Sequence, residues 1–306
     1  MKAPLLNPVL TGRAVRFMAG LPLVGRRIAP IVTTQLVAAA YYVYDTSNFI
    51  DVPTDIRRAP SSGFKRIKST LSSDTFYCKD YGIEEPLDKM ELMMYSGIFA
   101  ADTAGMERTS RIVAINHEIR VRNLARSASQ TSSPVNKWNE AGSTIVKDID
   151  AAKNLIRSRI GVTPNLLTLP YNVFQALRNS PEMKTYFANV QGGLITKANL
   201  EAILEVEIQI SGDLINTAAE GQNAEIGDIW EDEAFLSYSV ASADIKSLNF
   251  ARTYNWTALE GSGPNGISVL TYDENEIDSR VVRARQFTDE KIVAEGAGYY
   301  FSNVLA

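Results

Sequence analysis

"VTPNLLTLPYNVFQALRNSPEM", residues 162–183, carries two rhythms in one short stretch. Asn165 to Leu169 read as a short buried strand, Pro170 punctuates it, and Val173, Phe174 and Leu177 then fall at helical spacing. Asn179-Ser180-Pro181 closes that helix and opens another, with Pro at a first-turn position where its missing N–H costs nothing. A strand running directly into a helix is a frequent seat of catalytic turns. This turn offers Thr168, Pro170 and Asn172, which make neither a nucleophile–base pair nor a phosphate loop. It reads as architecture.

Outward from it, Ile145, Ile149, Ala152, Ile156 and Ile160 predict an amphipathic helix on the N-terminal side. On the C-terminal side, "TKANLEAILE" predicts a helix capped by Thr196, followed by the strand "VEIQI" and a further strand pattern in "DIWEDEAFLSYSV". Residues 144 to 240 therefore form an α/β layer. Beyond it, "NFARTYNWTAL", "GISVLTY", "SRVVRARQFTD" and "KIVAEGAGYYFSNVL" all read as strands of a long-stranded antiparallel sheet. Before it lie a linker, "SQTSSPVNKWNEAGS", and the longest helical pattern of the chain. Leu92, Tyr95, Phe99, Met106 and Val113, joined by Ile112, Ile115 and Ile119, predict a continuous helix from Leu92 to Arg126, about 50 Å long. A helix of that length is a strut. Residues 45 to 80 are rich in Ser, Thr and Pro and enclose the basic tip "GFKRIK", as in a long hairpin or loop. The first 44 residues hold a predicted helix from Ile31 to Tyr44 and read as an arm lying on something else.

The chain has 306 residues, with globular proportions of hydrophobic (45%) and charged (22%) side chains, enough for one large or two ordinary domains. No apolar run approaches the length of a membrane span, and Pro4, Pro8, Arg13 and Arg16 interrupt any signal-peptide core. Cys78 is the single cysteine, which forbids an internal disulfide and fits a reducing compartment. His117 is the single histidine, so zinc sites built on several His and Cys residues are excluded. His117 reads as mid-helix, and Cys78 as a part-buried strand residue.

The net charge of −4 conceals an asymmetry. Residues 1 to 44 contain Lys2, Arg13, Arg16, Arg26 and Arg27 and no acid. The helix near 107–126 adds Arg108, Arg111, Arg120, Arg122 and Arg126, whereas Glu201 to Glu233 bring ten carboxylates and no base. Such segregation predicts one face attractive to polyanions and another that repels them. Chemistry-bearing motifs are missing: no Walker, dinucleotide or nucleophile-elbow pattern occurs. "EGSGPNG" (260–266) and "YDENEID" (272–278) read as turns, and "DIWEDE" (228–233) as a solvated strand edge. With no sequence-reading motif for nucleic acid, any contact would be to the phosphate backbone.

The order of these elements resembles the major capsid proteins of tailed bacteriophages, which share the Hong Kong 97-type shell fold. "YCKDYGIEEPLDKME" is similar to the return from the family's extended loop into its spine helix. "TPNLLTLPYNVFQALRNSPEM" and "LEAILEVEIQISGDLINTAAEGQNAEIGDIWEDEAFLSY" are similar to elements of its axial domain. The resemblance implies an α+β fold laid out as an N-terminal arm (1–44), an extended loop (45–82), a spine helix with peripheral domain (83–143), an α/β axial domain (144–245), and a long-stranded peripheral sheet with C-terminal return (246–306).

It also implies self-assembly into pentamers and hexamers that tile an icosahedral shell around packaged double-stranded DNA. The virion would be the protein's location, and the host cytoplasm its place of assembly. The loop would lie over a neighbouring subunit, and the arm would reach another. Phe64, Lys65, Arg66 and Lys68 at the loop tip, and Arg178 and Lys184 at helix ends, are the implied inter-subunit contacts. Arg13, Arg16, Arg26, Arg27, Arg108, Arg111, Arg120, Arg122 and Arg126 are the implied DNA-facing cations. Some relatives join a loop lysine to an asparagine; Lys65 or Lys68 with Asn265 or Asn275 occupy such places here, without a residue-level match. No cofactor, metal, catalytic residue or membrane contact is implied. Because no long acidic leader precedes the arm, a separate scaffolding protein is expected, beside portal or decoration proteins. Two alternatives are a cellular nanocompartment (encapsulin-like) shell of the same fold, and an α/β enzyme using Asp228, Asp232 and Glu233.

Overall fold

The computed structural model describes residues 5–44, 55–66, 72–95, 100–187, 195–219, 221–242, 247–258 and 266–306. Its longest strand, Ser279–Ile292 (β14), organises the peripheral half. Lys79–Asp88 (β5) and Ser268–Glu274 (β13) both pair antiparallel with the first part of β14, so they flank it on opposite edges. Ala251–Trp256 (β12) pairs with its last residues, and Ile31–Thr34 (β2) adds to β12 in parallel. Leu5–Leu6 (β1) completes the six-stranded sheet against β13.

Two helices cover this sheet. Pro8–Ala19 (α1) opens with Asn7 as cap, its side chain accepting from the Leu10 N–H at 3.1 Å, and with Pro8 in the first turn. Ala101–Arg126 is the spine helix, twenty-six residues and about 39 Å long. Leu10, Ala14 and Met106 bury against Val269 and Val282, while Met18, Val113 and Ala114 bury against Ile267 and Ala284. The N-terminal residues 5–34 thus lie on the strut and sheet of their own chain. The helix expected from Leu92 does not run unbroken. Lys89–Tyr95 is a short helix, Ala100 is extended (φ −83°, ψ 92°), and the spine begins after it.

The axial half is built on the opening stretch. Leu166–Pro170 (β7) is buried at every residue, between Glu207–Ser211 (β8, parallel) and Ala234–Ser237 (β11, antiparallel). Gly298–Phe301 (β15) and Thr131–Ser132 (β6) extend the sheet to the order β6-β15-β11-β7-β8. Helix Ile145–Ile160 buries the five predicted apolar residues and ends at Gly161, whose φ of +75° suits glycine. Helices Tyr171–Asn179 and Pro181–Tyr186 share Ser180, which caps the second by accepting from the Met183 N–H at 3.2 Å. Thr196 caps Lys197–Leu204 in the same way.

Four expectations are corrected here. The predicted helix from Ile31 to Tyr44 is two strands, β2 and Ala38–Val43 (β3). Its alanine run is overridden by pairing of β3 with Ser72–Tyr77 (β4), and Ile31–Thr34 is rich in β-branched residues. The predicted linker 129–143 contains β6 and Trp138, which is fully buried against Phe301 at a ring separation of 5.6 Å. The strand pattern of "DIWEDEAFLSYSV" is broken. Ile226–Asp228 pairs in a hairpin with Leu214–Asn216, and the chain then buries Trp230 and Glu233 before β11. The last strand-like stretch leaves the peripheral sheet. After Ile292 it makes one 3₁₀ turn and joins the axial sheet as β15, where Gly298 admits the Phe250 ring against the backbone.

Candidate functional site

The β3–β4 ribbon, Ala38–Val43 paired with Ser72–Tyr77, flanks the described residues 55–66 in the chain. Its root is fixed by Tyr41, Phe76 and Cys78, which bury with Tyr254 and Val293. Phe76 stacks on Tyr254 at 4.3 Å, and the Cys78 thiol donates to the Tyr254 carbonyl at 3.4 Å. Burial pushes the Cys78 thiol up to about 11, so it stays protonated, buried at the junction between β4 and β5. Beyond the root, every described residue from Asp55 to Arg66 is exposed. Phe64 is 74% exposed beneath the Arg58 guanidinium, 4.9 Å from the ring centre, with Lys65 and Arg66 beside it. Lys68 and Asn265 lie outside the described residues, as does most of "EGSGPNG". Asn275 sits in the exposed β13–β14 turn, the polar turn read from "YDENEID".

The spine helix presents its arginines to carboxylates of its own chain. Arg108 meets Glu85 at 3.2 Å, Arg111 meets Asp213 at 2.8 Å, and Arg120 meets Glu290 at 2.8 Å. Arg122 lies 3.5 Å from Glu231, and Arg126 bridges Glu231 (3.3 Å) and Glu233 (2.7 Å). Three of these acids, Asp213, Glu231 and Glu233, come from the acidic segment. The expected separation onto opposite faces is therefore revised: much of it is cancelled at the contact between spine and axial domain. Tyr300 also donates to Glu233, and Asn172 donates to Asp232 at 2.7 Å. Burial and the neighbouring Asp232 raise the Asp228 carboxyl above its ordinary range.

Elsewhere Arg27 pairs with Glu207 at 2.7 Å, Arg13 donates to Thr103 at 3.0 Å, and Arg26 is half-buried. Arg16 and Lys184 are exposed, Arg108 is 74% exposed despite its pair, and Arg178 is half-buried at its helix end.

Two buried polar centres tie these surfaces together. Neither role was readable from the sequence, because their partners are about 90 to 170 residues away in the chain. Glu118 accepts from the Gly25 N–H (2.7 Å), the Trp230 indole N–H (2.7 Å) and the Val24 N–H (3.3 Å). It thereby joins the N-terminal segment, the spine and the axial domain. His117 shares a hydrogen bond with Thr253 Oγ1 at 3.1 Å and lies 3.6 Å from Glu290. Burial outweighs that carboxylate and pulls the imidazole down to about 4. Glu290 moves below the ordinary carboxylate value, since its bonds to Arg120 and the charge of His117 outweigh burial. Among the described residues no three His, Cys, Asp or Glu side chains gather to hold a metal. Among them no helix is long and apolar enough to cross a membrane.

No protein-family model matches the chain. It is similar to the major capsid protein of Burkholderia phage BcepMu, with 21% identity over 99% of this chain and 98% of that protein. Its structure is similar to a phage-related protein from Bordetella bronchiseptica RB50, with 20% identity, a TM-score of 0.75, and coverage of 99% and 98% of the two chains. It is also similar to the virus-like particle protein of Pyrococcus furiosus, with 8% identity, a TM-score of 0.61, and coverage of 96% and 99%. The fold is the Hong Kong 97-type shell fold, an α+β architecture with peripheral and axial halves about one spine helix.

Proposed function

We propose that this chain is the major shell protein of a tailed-phage head, assembling through its axial halves into pentamers and hexamers that enclose double-stranded DNA. The observation that carries the reading is the similarity to a major capsid protein over 99% of the chain. A second support is physical: the described ribbon-tip residues 55–66 are exposed throughout and bury nothing on their own chain, as expected of a segment that gains its contacts from a partner. In this reading Phe64, Lys65, Arg66 and Lys68 touch a neighbouring subunit, and Arg178 and Lys184 lie where axial helices meet around a symmetry axis. The surface cations Arg13, Arg16 and Arg108 then supply non-specific phosphate contacts. Scaffolding, portal and decoration proteins complete the particle, which forms in the host cytoplasm and leaves as the virion.

Negative-stain microscopy of the expressed protein tests this directly. Closed shells tens of nanometres across are expected, and nuclease-protected double-stranded DNA inside particles recovered from infected cells. Discrete small oligomers under all assembly conditions would refute the shell, and shells filled only with protein would transfer the chain to the nanocompartment alternative.

A further inference from the structure

One face of the spine helix stays partly exposed beside the hairpin of Leu214–Asn216 and Ile226–Asp228. Ile112, Ile115, Ile119 and Asn123 follow one another at spacings of three and four, so they share that face. Ile112 is 42% exposed, and Ile115 and Ile119 are half-buried. The opposite face, with Val113, His117 and Val121, is the buried one. The hairpin is rooted on the same stretch of helix. Asp213, which precedes its first strand, pairs with Arg111 at 2.8 Å, and the carbonyl of Ile229, which follows its second, accepts from Arg122. Within the hairpin Leu214 stands opposite Asp228 and Asn216 opposite Ile226, which puts all four on one face. Leu214 and Ile226 are 47% and 67% exposed there, whereas Ile215 on the other face packs on the main core. The ribbon joins no larger sheet among the described residues, and a lone hairpin is marginal in water.

The charge of this surface selects its occupant. No Lys or Arg occurs from residue 198 to 245, and Glu225, Glu231 and Asp232 are exposed on and beside the hairpin. Burial and the charge of Asp232 raise the Asp228 carboxyl, so an arriving cation would relieve that like-charge contact. Carboxylates repel nucleic acid and anionic membrane alike, and a stripe of isoleucines offers a phosphate nothing to bond. Apolar residues at helical spacing are instead the counterpart of an amphipathic helix, which lays its own apolar face against them. The acids of the hairpin then call for bases on that helix.

We infer that the Ile112/Ile115/Ile119 stripe and the Leu214/Ile226 face of the hairpin form the docking site for a basic amphipathic helix of a second, non-identical protein. The inference rests on the shell reading for its setting: the partner is one of the proteins present while shells are built.

Two measurements test it. A labelled leucine–lysine peptide of about five helical turns, followed by fluorescence anisotropy, should bind the unmutated protein at least about tenfold more tightly than its leucine–glutamate counterpart. Ile112→Ser with Ile226→Ser should weaken that binding at least about tenfold, and Glu225→Lys with Asp228→Lys should reverse the preference between the two peptides. An unmoved denaturation midpoint checks that these variants fold. In infected cells, a photoreactive phenylalanine analogue at position 112 should link the chain to a different protein, through a segment that is net basic and apolar at spacings of three and four. Glu225→Lys with Asp228→Lys should remove that adduct. Linkage only to a second copy, linkage to an acidic segment, no adduct, or no preference between the peptides overturns the docking site, and closed shells from the same cells leave the shell reading intact. Unmutated protein that never forms shells refutes the shell reading, while the peptide preference still decides the site.

Discussion

Glu118 is 1% exposed and accepts three N–H bonds, two from the backbone of the N-terminal segment and one from Trp230 of the axial half. Burial and the nearby Asp213 push its carboxyl up, and the bonds from Trp230, Gly25 and Val24 work against that rise. A hydrogen bond to a charged acceptor contributes about 1.5–3 kcal/mol, and leaving a buried donor unmet costs a similar amount. Trp230→Phe removes the indole donor, whereas Glu118→Leu strands the Gly25 and Val24 N–H groups. Each variant should therefore raise the opening equilibrium of residues 24–28 by about ten- to a hundredfold. Hydrogen–deuterium exchange read on a peptide spanning these residues measures that opening in the intact protein. The double variant should fall short of the summed effects by about 1.5–3 kcal/mol, the share of the lost indole–carboxylate bond. Gly25→Ala should act like Glu118→Leu, because a Cβ there would stand 2.7 Å from the Glu118 carboxylate. If the two single effects add to within about 0.5 kcal/mol, the three-way junction does not exist as described.

His117 is held near 4 against an ordinary 6.5, so between these values the unfolded chain binds the proton and the folded one does not. Stability is then fully present above about 6.5 and is lost as pH falls toward 4, by about 3 kcal/mol in all. Denaturation midpoints at neutral and acid pH should show this slope, and His117→Gln should flatten it. An unchanged slope would show that other groups carry it. Gly298→Ala sets a Cβ 2.5 Å from the buried Phe250 ring and 3.0 Å from Phe235, and should cost about 1–3 kcal/mol by overpacking, read as a lowered denaturation midpoint. Trp138→Ala should cost about 3–5 kcal/mol in the same assay, whereas a true linker residue would cost nothing measurable.

What was legible in the sequence was local and periodic. The strand-and-two-helix stretch at 162–183 folds as read because its apolar spacing, its Pro and its Ser cap agree with its burial. The spine helix from Ala101, the helix 145–160 and the Thr196-capped helix were visible for the same reason. The failures share a different cause. Ala38 to Val43 prefers helix locally and is a strand only because β4, about thirty to forty residues on, supplies its partner. Trp138 looked like part of a polar linker because its pocket is made by Phe301 at the far end of the chain. The arginines of the spine looked like a free basic face because their carboxylates come from positions up to 170 residues distant.

In the proposed DNA-filled shell, those pairings limit which cations are free to meet phosphate. An arginine whose charge is already matched by a carboxylate at 2.7–2.8 Å, as at Arg111, Arg120 and Arg126, would have to break that contact or tolerate the acid beside a phosphate. Asp213, Glu233 and Glu290 are themselves only 3%, 2% and 6% exposed, so stripping them would leave buried charges uncompensated. Their arginines serve the junction between spine, sheet and axial half. Under that proposal, backbone contacts fall instead to cations at the surface, chiefly Arg13 and Arg16 on α1 and the exposed Arg108. A small set of exchangeable surface cations gives weak, salt-sensitive and sequence-independent attraction.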